Sequence, residues 1–155
     1  MDTGKKLQEG DKAPEIKLHT DAGEPFQLSK LKGKKLVLYF YPRADTPGCT
    51  VEACEFHDQS KKFAKQDTVI VGISPDDVKP QGKFKEKFDL PFTLLCDVDK
   101  KAEEAFGVYK EKNMYGKKVM GIERTTFIIG EDGRIARIFP KVKAQGHAEQ
   151  VLAAL

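Results

Sequence analysis

The chain's fold is decided by Lys35-Leu36-Val37-Leu38-Tyr39-Phe40-Tyr41 and the segment that follows, Pro42-Arg43-Ala44-Asp45-Thr46-Pro47-Gly48-Cys49-Thr50-Val51-Glu52-Ala53-Cys54-Glu55-Phe56. Residues 35–41 are β-rich and apolar at both parities, which is what a central strand covered on both faces requires. After a loop over residues 42–48, Val51, Cys54, Phe56, His57 and Phe63 recur with polar residues between them, and this spacing predicts a helix over 50–66. Thr46 and Pro47 suit an N-cap and a first helical position. Cys49 is therefore expected in the opening turn of a helix that follows a buried strand.

Outward from this segment, short apolar strands alternate with amphipathic helical stretches, an α/β pattern. Residues 16–19 and 25–28 flank the turn Asp21-Ala22-Gly23-Glu24 and predict an N-terminal β-hairpin. Strands are expected over 68–73, 92–95, 120–130 and 134–139, the last two joined by Glu131-Asp132-Gly133. Helices are expected over 76–88, 100–106 and 144–155. No repeat, low-complexity tract or linker interrupts the series, so residues 1–155 are expected to form one domain.

Composition limits what such a chain does. Its 155 residues are 39% hydrophobic and 33% charged, enough for a self-sufficient core. The longest apolar run, residues 36–41, is far short of the roughly 20 residues of a membrane-spanning helix. The opening MDTGKKLQEGDK has neither the apolar stretch nor the cleavage site of a secretory signal, so a cytoplasmic location is expected. A net charge of +3, dispersed without a basic block, gives no reason to expect nucleic acid. Three cysteines, Cys49, Cys54 and Cys96, are too few for a disulfide scaffold. The proximity of the first two points to chemistry.

A sulfur in a helix's first turn faces unpaired backbone N–H groups and the positive end of the dipole, which favours thiolate. The alternative is a small buried hydrophobe. Ionisation alone achieves little: for a thiol whose pKa falls from about 8.5 to about 6, the thiolate fraction at pH 7 rises roughly thirtyfold, while nucleophilicity falls roughly tenfold. A fast enzyme must also stabilise charge developing in the transition state. Thr46, the N–H groups around Gly48 and Cys49, and an Arg are the available donors. Helix capping is the alternative role for the Thr46 hydroxyl. Of the chain's four arginines (Arg43, Arg124, Arg134 and Arg137), any one near the sulfur matters, because Lys cannot reproduce a planar fork.

The run PRADTPGCTVEAC resembles the Pro-x-x-x-Thr-x-x-Cys motif of peroxiredoxins, and its Cys-Thr-x-Glu-Ala-Cys continuation is similar to the peroxiredoxin Q, or bacterioferritin comigratory protein, subfamily. LPFTLLCDVD, ERTTFIIGEDG and GHAEQVLAAL extend the resemblance over almost the whole chain. It implies a thioredoxin-like fold, a mixed central sheet flanked by helices, with an extra N-terminal hairpin. It also implies a thiol-dependent peroxidase acting on hydrogen peroxide and small organic hydroperoxides.

Carried onto this sequence, the resemblance makes Cys49 the peroxidatic cysteine and Thr46 a hydrogen-bonding partner of the peroxide, with Gly48 contributing to the substrate site. Pro42 would shield the sulfur, Arg124 would stabilise charge on sulfur and departing oxygen, and Glu52 would orient Arg124. Cys54 would resolve the Cys49 sulfenic acid into an intramolecular disulfide that thioredoxin reduces. A monomer is expected, with no haem, flavin or metal.

Residues five apart in a continuous helix lie about 8.6 Å apart at Cα, and a disulfide needs less than roughly 7 Å. Oxidation is therefore expected to unwind the first turns. Core packing is the alternative for Cys54, and a solvent-facing strand position for Arg124. Cys96 reads as a partly buried bystander or a minor oxidation site. Cys49, Cys54 and His57 imitate a metal set but lack a fourth ligand and a compact Cys-x2-Cys pair. His19 and His147 have no partner that the sequence identifies. Two other readings share these thiols: a thioredoxin-class disulfide oxidoreductase, against which stand the four residues between the cysteines, and a redox sensor that relays oxidation to a partner.

Overall fold

A computed structural model of the chain describes residues 7–31 and 33–155; residues 1–6, read above for a leader, lie outside the described residues. Among the described residues nine strands occur in chain order: β1 (Lys17–Thr20), β2 (Pro25–Gln27), β3 (Lys35–Phe40), β4 (Thr68–Ser74), β5 (Thr93–Cys96), β6 (Tyr109–Met114), β7 (Lys117–Ile122), β8 (Thr125–Ile129) and β9 (Ile135–Phe139). The α-helices are α1 (Pro47–Lys65), α2 (Val78–Phe88), α3 (Lys101–Ala105) and α4 (His147–Ala153).

Seven of the strands form one sheet in the order β2-β1-β5-β4-β3-β8-β9. Strand β3 runs parallel to β4 and antiparallel to β8, so the sheet is mixed and β3 lies inside it, as its two-faced hydrophobicity requires. The expected N-terminal hairpin forms, with Gly23 at φ 81 in its turn. It extends the sheet edge by pairing β1 with β5.

The pleat sends alternate residues of β3 to opposite faces. Val37, Tyr39 and Tyr41 meet Cys49, Ala53, Phe56 and Phe63 of α1 and Ala148 and Val151 of α4. Leu36, Leu38 and Phe40 meet Ile16, Phe106, Phe127 and Ile129 on the other face. Each large side chain so buried contributes about 1.5–3 kcal/mol relative to exposure. Helix α1 is keyed to the sheet through Phe56, whose ring stacks on Tyr39 at 4.7 Å between centroids. Gly72, opposite Tyr39 on β4, makes room for that ring, since a Cβ there would stand 2.9 Å from Tyr39 Cζ.

One expectation fails. Residues 120–130 are not a continuous strand: β7 ends at Ile122 and β8 begins at Thr125. Strand β7 instead pairs with β6 in a separate two-stranded ribbon, turning at Tyr115 and Gly116, both at positive φ. The chain leaves one sheet and enters another across Glu123 and Arg124.

Candidate active site

The loop from β3 to α1 leaves the carboxyl end of the central strand and is held from the side. The Ala44 N–H donates to Asp76 Oδ2 at 2.6 Å, and Lys87 on α2 pairs with the Asp45 carboxylate at 3.1 Å. Asp45 itself stands at φ 60. Pro42 and Thr46 are half-buried on this loop.

Helix α1 begins as the sequence implies, with Thr46 at the N-cap in extended conformation and Pro47 as the first helical residue. The Thr46 carbonyl accepts the Thr50 N–H at 2.8 Å, the first intrahelical bond. Its hydroxyl does not cap. It donates to the Arg43 carbonyl at 2.9 Å, which overturns the capping alternative and leaves the hydroxyl oxygen's lone pairs as acceptors. Pro47 has no N–H, so the N–H groups of Gly48 and Cys49 are the first-turn donors that the helix leaves unused.

Cys49 is buried at 1% exposure, in the first turn as expected. Arg124 reaches it from the break between β7 and β8, its backbone carbonyl accepting the Val142 N–H at 2.8 Å. One guanidinium nitrogen, Nη2, donates to Cys49 Sγ at 3.3 Å; the other, Nη1, donates to Glu52 Oε1 at 2.7 Å. Glu52 lies three residues beyond Cys49 and therefore on the same helix face. The three side chains form a fork, with sulfur and carboxylate on separate tines. Arg124 as a solvent-facing strand residue is thereby set aside.

The electrostatics follow from burial. Glu52 is fully buried, which pushes its carboxyl up to about 7, while the Arg124 charge pulls the other way. Its second oxygen has no hydrogen-bond partner among the described residues. Burial opposes the Arg124 charge as well, yet Glu52 and the Cys49 sulfur outweigh it and hold the guanidinium above its ordinary value. Gly48 has a second function beyond its N–H: a Cβ at this position would stand 3.2 Å from Arg124 Nη2. The glycine lets the guanidinium lie against the helix start.

Cys54 sits on the same unbroken helix, half-buried and unpaired, its thiol pushed up by burial and by Asp58. Cys96, on β5, is buried with its thiol directed at the Thr20 carbonyl at 3.7 Å. His57 pairs with Asp58 at 3.1 Å on a solvent-exposed part of the helix.

His147 is the residue whose surroundings the sequence conceals. It is buried, with Nε2 at 2.7 Å from Thr126 Oγ1 and Nδ1 at 3.0 Å from Gln150 Oε1. Its ring meets Phe56 and Phe139 edge-on at 6.0 and 5.5 Å. Burial holds this imidazole below its ordinary value. Gln150 three residues on is a helical-spacing signal in the sequence; Thr126 is purely tertiary.

A thioredoxin-like sheet carrying a cysteine at a helix start, clasped by an arginine from the break between two strands, points to the peroxiredoxin class. The AhpC/TSA family model matches residues 9–138, and the chain belongs to that family. It is 52% identical to a putative peroxiredoxin Bcp of Coxiella burnetii over 149 residues, 96% of this chain and 99% of that one. It is 50% identical to peroxiredoxin Bcp of Bacillus subtilis over 149 residues, 96% of this chain and 95% of that one. Peroxiredoxin Q of Xylella fastidiosa superposes with a TM-score of 0.91 at 38% identity, covering 97% of this chain and 96% of the other. The bacterioferritin comigratory protein of Xanthomonas campestris gives 0.87 at 42% identity, over 90% and 88% of the two chains. The chain is a thiol-dependent peroxidase, acting on peroxide at the expense of a thiol reductant. The disulfide oxidoreductase reading gives way to it. No helix among the described residues is long and apolar enough to cross a membrane.

Proposed function

We propose that Cys49 is the peroxidatic cysteine of a monomeric enzyme that reduces hydrogen peroxide and small organic hydroperoxides, and that Cys54 resolves it. The observation that carries this reading is the Arg124 fork, with one nitrogen 3.3 Å from Cys49 Sγ and the other 2.7 Å from Glu52. A guanidinium so fixed stabilises negative charge on the sulfur before attack and on the departing oxygen during it. The Thr46 oxygen, its proton committed to Arg43, accepts the hydroperoxide O–H. Gly48 and Cys49 offer N–H groups to the other oxygen, and Pro42 shields the sulfur from water. The Xanthomonas relative is described as reducing alkyl peroxides, which supports the same substrate class here.

The Cys49 thiolate attacks the terminal oxygen of ROOH. An S–O bond forms, the O–O bond breaks, and RO⁻ leaves as ROH after taking a proton. Cys54 then attacks the sulfenic sulfur, an S–S bond forms, and the hydroxyl leaves with the Cys54 proton as water. Thioredoxin, a cytoplasmic dithiol, exchanges with the disulfide and restores both thiols.

The test is peroxide-dependent NADPH consumption coupled through thioredoxin and its reductase. Cys49→Ser is expected to be inactive and Cys54→Ser to perform one oxidation per molecule. Arg124→Lys is expected to lose at least about tenfold in kcat/KM, because an ammonium cannot hold sulfur and carboxylate together. An unimpaired Arg124→Lys enzyme would remove Arg124 from the mechanism.

A further inference from the structure

Closing a disulfide between Cys49 and Cys54 requires unwinding of α1, and the structure differs sharply on the two sides of residue 54. Ahead of it, Val51 is exposed, Thr50 and Cys54 are half-buried, and the buried side chains are the small Cys49 and Ala53 and the Arg124-bound Glu52. Conversion of Cys49 to sulfenic acid alters the sulfur to which Arg124 Nη2 donates at 3.3 Å. Beyond residue 54 the helix is tied down. The Glu55 carboxylate accepts the Gly146 N–H through both oxygens, at 2.8 and 3.0 Å. Gly146 stands at φ 80 and is followed by His147, which is bonded to Thr126 and packed edge-on against Phe56. Phe56 has no exposed surface, stacks on Tyr39 and packs at a tilt against Phe63. Releasing it would open the core between α1, α4 and the sheet.

We infer that Glu55, through its hydrogen bond to Gly146, is a positioning residue that stops the redox-linked unwinding of α1 at Cys54 and so holds the resolving thiol within reach of the Cys49 sulfenic acid. This rests on the proposal that Cys54 resolves Cys49. Adjacent Cα atoms are 3.8 Å apart, so pinning Glu55 confines Cys54. Only the segment carrying Cys49 then has to move. A confined partner presents a high effective concentration, whereas a helix free to unravel further lowers it. The competing fate of the sulfenic acid is a second peroxide and sulfinic acid, so the pin also governs how the intermediate is partitioned.

The test compares wild type with Glu55→Ala and Glu55→Lys, neither of which offers an acceptor to Gly146, and with Glu55→Gln, whose carbonyl does. One equivalent of hydrogen peroxide should convert wild type to a product lighter by two hydrogens. In that product, amide exchange should rise over residues 48–54 and stay protected from residue 56 onward. In Glu55→Ala and Glu55→Lys the rise should spread past residue 56, and excess peroxide should raise the sulfinic fraction at least about threefold. Glu55→Gln should behave like wild type, and oxidation of Cys49 itself should stay within about twofold in all variants, since Glu55 touches neither sulfur. If wild type forms no internal disulfide, the assignment of Cys54 fails. If the disulfide forms but protection past residue 56 is lost in wild type, or the Ala and Lys variants partition as wild type does, Glu55 has no such function.

Discussion

Gly48 and Arg124 are matched in space: the one missing side chain in the first turn of α1 lies where Nη2 of the guanidinium rests, 3.2 Å from where a Cβ would be. Gly48 does not lie in the left-handed region, so alanine is conformationally acceptable there. The cost of Gly48→Ala is therefore borne by the fork. The guanidinium must retreat by a few tenths of an ångström from the sulfur it donates to. Gly48→Ala is expected to lower kcat/KM for hydrogen peroxide by about fivefold or more, with the thermal midpoint unchanged or slightly raised. Steady-state kinetics alongside a melting curve separate the two effects.

Glu52 anchors the other tine from a fully buried position. Glu52→Gln keeps an acceptor for Nη1 and is expected to cost only a few-fold in rate. Glu52→Ala leaves a mostly buried guanidinium without its carboxylate and is expected to destabilise the protein by about 3 kcal/mol, besides a rate loss of at least about tenfold. Urea unfolding and peroxide kinetics on both variants check the pair; wild-type stability and rate in Glu52→Ala would show that the anchor is unimportant.

Much of this arrangement is legible in the sequence because it is local. The apolar parity of residues 35–41, the Thr46-Pro47 helix start and the Asp21 to Glu24 turn each act within a few residues, and each forms as expected. The ribbon β6–β7 escapes sequence reading for a physical reason. Its second strand is exposed over Lys117, Lys118, Val119 and Met120, so no buried face imposes an alternation to detect. With β6 unread, the apolar residues of β7 run on into β8 and conceal the break. That break is what points Arg124 at Cys49, so the most consequential irregularity of the chain lies where periodicity is silent. His147 is hidden differently, since its partner Thr126 is distant in sequence and meets it only once β8 and α4 pack.

Cys96 is buried where burial first, and then the nearby carboxylates of Asp77, Asp21 and Asp76, push its thiol up to about 11. At pH 7.5 the thiolate is then on the order of one molecule in a thousand or fewer. Oxidation by peroxide therefore passes it by. Cys96→Ser is expected to leave coupled turnover within about twofold of wild type. Peptide mass spectrometry after a brief excess of peroxide is expected to find sulfinic acid at Cys49 with Cys96 still a thiol; oxidation of Cys96 at a rate comparable to Cys49 would contradict this.

Glu103, in α3, is fully buried, and neither carboxylate oxygen has a hydrogen-bond partner among the described residues. Burial, and after it the charge of Asp97, raises its carboxyl from 4.5 to about 8, with Lys100 opposing and Asp76 and Glu104 adding to the rise. Asp97 is engaged in accepting the N–H groups of Ala102 and Glu103 at 3.2 and 2.8 Å, so it stays as a fixed negative neighbour. Because the folded form holds this proton where the unfolded form has released it, the contribution of Glu103 to stability is complete below about pH 4.5. It declines as pH rises through the window up to about 8. Glu103→Gln removes the titration while keeping the shape. The urea midpoint of wild type is expected to fall from pH 6 to pH 8.5, and that of Glu103→Gln to fall less, the residual slope belonging to Glu52, whose carboxyl burial raises to about 7. Parallel slopes in the two proteins would mean that Glu103 is already ionised at pH 6 and finds its compensation elsewhere in the fold.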